Sequence, residues 1–322
     1  MSYAQQFEPK KSRLIEGNEP SPVGLDIRDG SIYVWTEEIV LAVNIAIHTG
    51  RPLLICGRPG TGKSSLAAFV ARTMEWNYFE EVINSKYEAR DLLWHYDAMR
   101  RLRDAYKGQP INDQIYVEPR VLWWAINPQQ AEDQVEKIKS TLAVGAAGPL
   151  PPGKLRGNDR PSVVLLDEID KADPDLPNDL LVALGSHEFR ITDTGQLIQR
   201  SARPLIMITS NDERSLPPAF VRRCVILTLK FPSSTELAGI AKAHFPDPAG
   251  EHEALFKRVA ERVKELHNDA DAEGCEPSIA EYLDAVRACV KYSVMPPDEP
   301  GTASPIWIAI ESAVLLKRKN EY

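Results

Sequence analysis

The segment Gly57-Arg58-Pro59-Gly60-Thr61-Gly62-Lys63-Ser64 constrains this chain more than any other. Its pattern, GxxxxGK[ST], follows a short apolar run (Pro52–Cys56) and opens an amphipathic stretch (Lys63–Met74). Glycines at these positions let the backbone curl so that successive N–H groups point inward at an anion. In that arrangement the Lys63 ammonium neutralises β- and γ-phosphates and the Ser64 hydroxyl takes a Mg2+ ion. The helix N-terminus adds the positive end of its dipole. Gly57, Arg58, Pro59, Gly60, Thr61, Gly62, Lys63, Ser64 and Ser65 are therefore candidate nucleotide-binding residues. A bare glycine-rich turn with a solvated lysine does not account for the strand–loop–helix context.

The rest of the chain keeps to the same plan. Brief runs that are apolar or β-branched, Pro52–Cys56, Tyr78–Ile83, Val163–Leu166, Leu205–Thr209 and Val225–Leu229, suit strands covered on both faces. Helical spacing is expected at Trp35–His48, Lys63–Met74, Glu88–Tyr106 and Leu176–Ser186. This alternation predicts an α/β sandwich around a parallel five-stranded sheet. Residues 1–31 read as an N-terminal extension and 32–232 as the α/β nucleotide-binding domain. Residues 233–322 read as a small all-α domain, with helices at about 234–245, 250–268, 278–292 and 304–318. The Gly/Pro-rich stretch 127–160, led by a polar helix (Gln129–Leu142), reads as a mobile loop inserted into the core. The alternation of Phe189, Ile191, Leu197 and Ile198 across Asp193-Thr194-Gly195 reads as a hairpin over about 188–199.

Three further patterns carry chemistry. Val163–Leu166 runs into Asp167-Glu168, placing two acids at the carboxyl edge of a buried strand, where α/β sheets bind ligands. Asp167 would hold Mg2+, directly or through water, and Glu168 would polarise the water that attacks the γ-phosphate. The other reading is an acidic strand end that caps the next segment; Asp170 reads as an orienting or capping residue. Leu205–Thr209 ends in Ser210-Asn211, and Asn211 would hold the attacking water, although an Asn in such a context is more often a turn former. Arg222 and Arg223 close a short helix (Pro217–Arg223). They read as surface ion-pair residues or, in an oligomer, as a finger that stabilises transition-state charge in the neighbouring subunit.

Composition narrows the class. The 322 residues carry a net charge of −8, which argues against a surface devoted to nucleic acid. Arg100, Arg101 and Arg103, and likewise Lys317, Arg318 and Lys319, read as solvated helix faces. Cys56, Cys224, Cys275 and Cys289 form no CxxC pair, so zinc and disulfides are not expected and a reducing cytoplasm is. Neither an apolar run long enough to span a membrane nor a secretory leader is present.

With these patterns in order, residues 32–320 resemble the AAA+ ATPases, and within them the MoxR-like proteins of the helix-2-insert clade. The segments GRPGTGKS, ARDLLWHYDAMRRLR, VVLLDEIDKADPDLPNDLLVALGSHEFRITDTG, ITSNDERSLPPAFVRRC and EPSIAEYLDAVRA carry the likeness. The resemblance implies an αβα sandwich with a helical lid, and a hexamer that binds ATP and Mg2+ between subunits. It implies a protein client bearing a von Willebrand factor A domain. It maps the Walker-A lysine to Lys63 and the Walker-B acids to Asp167 and Glu168. The first sensor falls on Asn211, and the finger on Arg223 with Arg222 second. Asn84 falls where such proteins keep a residue restraining the catalytic glutamate. The second-sensor arginine has no counterpart in Glu276–Ala280, leaving Arg287 as the substitute or the lid without one.

Three functions follow as expectations. The first is an ATP-driven remodeller or assembly chaperone. The second is a nucleotide-dependent DNA machine of the restriction or defence type, disfavoured by the acidic charge and by the absence of a recognisable DNA-binding module; the missing NKxD-like guanine signature favours ATP. The third is a nucleotide-switched scaffold, which would not need an intact hydrolytic set.

Overall fold

The computed structural model describes residues 6–9, 30–108, 111–142, 148–186, 188–245, 247, 250–269, 276–297 and 303–316. Helix α1 (Glu37–Thr49) begins where the Thr36 side chain accepts the Ile39 N–H at 3.3 Å. It ends at Gly50, whose φ of 66° supplies the left-handed turn. Strand β1 (Leu53–Cys56) leads through the glycine loop into α2 (Lys63–Met74) and β2 (Asn77–Val82). Then follow β3 (Trp94–Tyr96), α3 (Ala98–Tyr106), β4 (Val117–Pro119), α4 (Val121–Ile126), α5 (Pro128–Ser140) and β5 (Gly153–Lys154). The chain returns to the core with β6 (Ser162–Asp167) and α6 (Leu176–Gly185), a hairpin of β7 (Glu188–Arg190) and β8 (Leu197–Gln199), then β9 (Leu205–Ser210). After α7 (Pro218–Val221) and β10 (Val225–Thr228) come α8 (Ser234–His244), α9 (Glu253–Asp269), α10 (Ile279–Tyr292) and α11 (Pro305–Ile310), which runs into a π-helical turn over Glu311–Leu316.

Among the described residues the main sheet runs β10-β1-β9-β6-β2-β5, with β5 antiparallel and the other neighbours parallel. Every residue of β6 and β9 is buried, because helices cover both faces. Alternation divides the strand side chains between two cores. Leu53, Ile55, Val163, Leu165, Leu205 and Met207 pack with α1 and α2, while Leu54, Val164, Leu166, Ile206 and Ile208 pack with α4, α5 and α6. Val163 to Leu166 are 0% exposed, and burial of each stabilises the fold by about 1.5–3 kcal/mol. A third cluster, around Leu237, Phe256, Val259, Tyr282, Val286 and Trp307, holds α8 to α11 together.

Three details depart from the sequence reading. The stretch 88–106, expected as one helix, is a 3-10 turn (Ala89–Leu92), then β3, then α3. Its Trp94–Tyr96 strand pairs with Val117–Pro119, and helix restarts only where Asp97 accepts the Arg100 N–H at 2.9 Å. The expected mobile loop 127–160 includes α5 and a sixth, antiparallel strand on the sheet edge. There Gly153 comes so close that a Cβ would lie 2.3 Å from the Tyr78 carbonyl oxygen; residues 143–147 lie outside the described residues. Arg100 is buried rather than solvated, bonding the Thr141 hydroxyl at 2.8 Å and lying over the Tyr116 ring. Lys317, Arg318, Lys319 and Cys275 lie outside the described residues. So does most of the 1–31 extension, but its Phe7 is fully buried against the core.

Candidate active site

Parallel strands of different length bring β1, β6 and β9 to one edge at Cys56, Asp167 and Ser210. The glycine loop curls above that edge. Gly60 and Gly62 take φ of 75° and 84°, and Gly57 lies so close to Leu229 that a Cβ would meet its carbonyl oxygen at 2.4 Å. Lys63 turns back into the loop, donating to the Gly57 carbonyl at 2.7 Å and the Arg58 carbonyl at 2.9 Å. Burial holds its pKa below the ordinary lysine value, against the opposing pull of Asp167, Asp170 and Asp212.

The Ser64 hydroxyl donates to both Asp167 carboxylate oxygens, at 3.0 and 2.9 Å. From the neighbouring strand, Thr209 Oγ1 donates to the same carboxylate and accepts the Glu168 N–H at 2.9 Å. Glu168 itself sits at φ 63°, a left-handed conformation that costs a non-glycine residue about 1–2 kcal/mol. Its carboxylate accepts from Lys171 Nζ at 2.8 Å and lies 3.5 Å from Asn211 Nδ2. That bond raises the Lys171 pKa. Asp170, 3% exposed, receives the N–H groups of Asn211 and Glu213 at 3.1 Å each, fixing the turn that presents Asn211.

A cavity of about 800 Å³ opens over these groups, between the sheet edge and the helices after β10. Pro59, Gly60, Thr61, Gly62, Lys63, Ser64, Ser65, Asp167, Glu168 and Asn211 line it, and Tyr33, Leu229, Phe231, Ile279 and Leu283 supply apolar walls. The α10 end of the cavity touches the loop directly: the Ile279 N–H donates to the Gly60 carbonyl at 3.2 Å, and Arg58 pairs with Glu276.

A family model described as the AAA domain, dynein-related subfamily, matches residues 52–224, from the residue before β1 to the residue before β10. The chain belongs to that family. As an AAA domain it is an ATPase-type motor of a fold whose members commonly assemble as rings. Solved structures of Thermotoga maritima RuvB align with this AAA domain. The one titled Holliday junction branch migration motor shares 14% identity over 86% of this chain and 67% of that one, at a TM-score of 0.42. Two of its mutants align at 14% and 15% identity over 86% of this chain and 67% and 68% of theirs, with TM-scores of 0.44 and 0.46. A search of curated proteins gives no match.

The remaining candidate residues lie at different distances from the cavity. Arg222 and Arg223 are exposed at the end of α7 and do not line the chain's own cavity. Asn84 does not reach Glu168; its side chain accepts the Lys86 N–H at 2.9 Å. Arg287 does line the cavity, paired with Asp284 at 3.0 Å and lying over the Phe245 ring. The bonds of Thr209 and Lys171 had no motif to announce them. A signal existed for each: a hydroxyl inside the buried run LIMITS, and a cation three residues after Glu168. Among the described residues no helix is long and apolar enough to cross a membrane.

Proposed function

We propose that this chain is an ATP-hydrolysing motor of the MoxR-like kind that remodels or assembles a partner protein as a homo-oligomer, with a hexamer expected. The convergence of Lys63, Ser64, Asp167, Glu168 and Asn211 at the mouth of one cavity carries this reading. The loop amides and Lys63 bind the phosphates, and the apolar walls receive the base. Ser64 and Asp167 offer hard oxygen donors already within hydrogen-bond distance of each other, which fits a Mg2+ ion that keeps much of its own water. Such an ion supplies charge neutralisation between the phosphates. Glu168, once released by Lys171, takes the proton of the attacking water while Asn211 orients that water.

Arg222 and Arg223 point outward, and this supports their use in the neighbouring subunit's site, so that each active site is completed by two chains. Residues 32–232 form the nucleotide-binding domain in this reading and 233–322 the lid. The coupling to a client bearing a von Willebrand factor A domain follows the resemblance of the segments quoted above.

The test is Glu168→Gln. It should retain ATP binding and lose hydrolysis by roughly 10²–10⁴-fold. Turnover at the native rate would sink the mechanism.

A further inference from the structure

Helix α1 buries an apolar face of Ile39, Val40, Val43 and Ala46, and among them stands Asn44, 1% exposed. A primary amide in such a place is tolerated only when its donors and acceptors are used. They are. Asn44 Nδ2 donates to the carbonyls of Val40 and Phe7 at 2.9 Å each, and Oδ1 accepts the N–H groups of Gln6 at 2.8 Å and Phe7 at 2.9 Å. Three of these four bonds go to the backbone of a segment 37 residues upstream, so the amide pairs with a peptide much as a strand edge does.

The Phe7 side chain, 0% exposed, meets the Phe69 ring of α2 edge-on at 6.1 Å and 88°. Phe69 in turn stacks on Tyr33 at 5.4 Å and 25°. Tyr33 is a wall of the nucleotide cavity, 3.6 Å from where a Cβ on Gly62 would stand. Gly30 lies against the same turn of α2. At Gly30, φ 70°, a Cβ would lie 2.4 Å from the Ala68 carbonyl carbon and 2.5 Å from the Phe69 nitrogen.

We propose that Gln6–Pro9 is a resident peptide ligand of a docking site built from Asn44 and Phe69, and that Phe7 is a positioning residue for the nucleotide site. Phe7 fixes Phe69, Phe69 fixes Tyr33, and Tyr33 sets the width of the cavity beside the glycine loop. The site takes one kind of ligand: a short extended segment that presents an N–H and a carbonyl to the amide and an aromatic ring to Phe69. In this structure the chain's own N-terminal segment fills it. The positioning half of the proposal rests on the nucleotide reading of the cavity; the docking half does not.

The test uses full-length Phe7→Ala and Asn44→Ala, with Glu8→Ala at an exposed neighbour as control, each checked for native circular dichroism. Affinity for a fluorescent N-methylanthraniloyl-ATP and the kcat for ATP are measured side by side. Phe7→Ala and Asn44→Ala should weaken nucleotide binding about five- to tenfold, the size of one aromatic contact, with kcat within about twofold of native. Glu8→Ala should match native. A fluorescein-labelled peptide of residues 2–12 should bind Phe7→Ala saturably and restore its nucleotide affinity, and the same peptide with alanine in place of Phe7 should do neither. Native affinity in both folded variants, with no saturable peptide binding, overturns the proposal. Saturable docking in a chain whose native form does not bind ATP would instead overturn the nucleotide reading and leave the docking site standing.

Discussion

Thr209→Val is nearly isosteric and removes one hydroxyl from the centre of the site. Thr209 is 1% exposed, and its Oγ1 both donates to Asp167 and accepts the Glu168 N–H. Valine leaves the Glu168 N–H without that partner, at about 1–3 kcal/mol, and deletes a bond to a carboxylate of about 1.5–3 kcal/mol. With partial relief by water the expected loss is about 3 kcal/mol. At about 2–4 °C per kcal/mol, the melting temperature should fall by roughly 6–12 °C. Hydrolysis should fall further than stability requires, because the lost N–H bond anchors a left-handed Glu168. A displacement of about 1 Å at a reacting group costs on the order of 10²-fold. Thr209→Ser keeps the hydroxyl and loses one methyl, about 0.8 kcal/mol, so it should retain most turnover. Thermal melts and steady-state ATP hydrolysis on the native chain and both variants decide the matter. A Thr209→Val protein that melts and turns over like Thr209→Ser would refute the reasoning.

Burial holds the Lys63 ammonium below its ordinary value of 10.5, so below that pH the unfolded chain binds more protons than the folded one. Native stability relative to Lys63→Met should therefore rise as the pH climbs towards 10.5 without nucleotide, and calorimetric melts at several pH values check this. Arg58→Glu and Glu276→Arg should each shorten nucleotide residence only a few-fold, since the Arg58 side chain is 58% exposed, and the double reversal should restore it in stopped-flow release. Lys63→Met and Arg223→Ala chains should each be inactive alone, the latter by about 10³-fold or more. Their mixture should regain hydrolysis at interfaces joining an intact Lys63 site to an intact Arg223. A mixture as inactive as its parts would refute a finger supplied by the neighbouring chain, and an active Arg223→Ala chain would move the finger to Arg222.

The core strands were legible because a strand covered on both faces is written as an unbroken apolar run, as Val163–Leu166 and Leu205–Met207 are. The capped helices were legible for a similarly local reason, and α2 keeps the bounds Lys63–Met74 that its spacing implies. Strand β3 was not legible, because what makes Trp94–Tyr96 extended lies elsewhere: Val117–Pro119 as its partner, and Asp193, 99 residues on, accepting the Trp94 Nε1–H at 2.9 Å. Two residues of β5 carry no periodicity at all. The same division runs through the site. Lys63, Ser64, Asp167 and Glu168 announce themselves by spacing, since each belongs to a pattern written within one loop or one strand end. The bonds of Thr209 and the Arg58–Glu276 pair depend on which elements lie side by side, and spacing along the chain does not encode that. Asn44 marks the boundary between the two. An amide on an otherwise apolar helix face is a local anomaly that demands a buried partner, so the sequence states the need. Only the fold names Phe7 as what meets it.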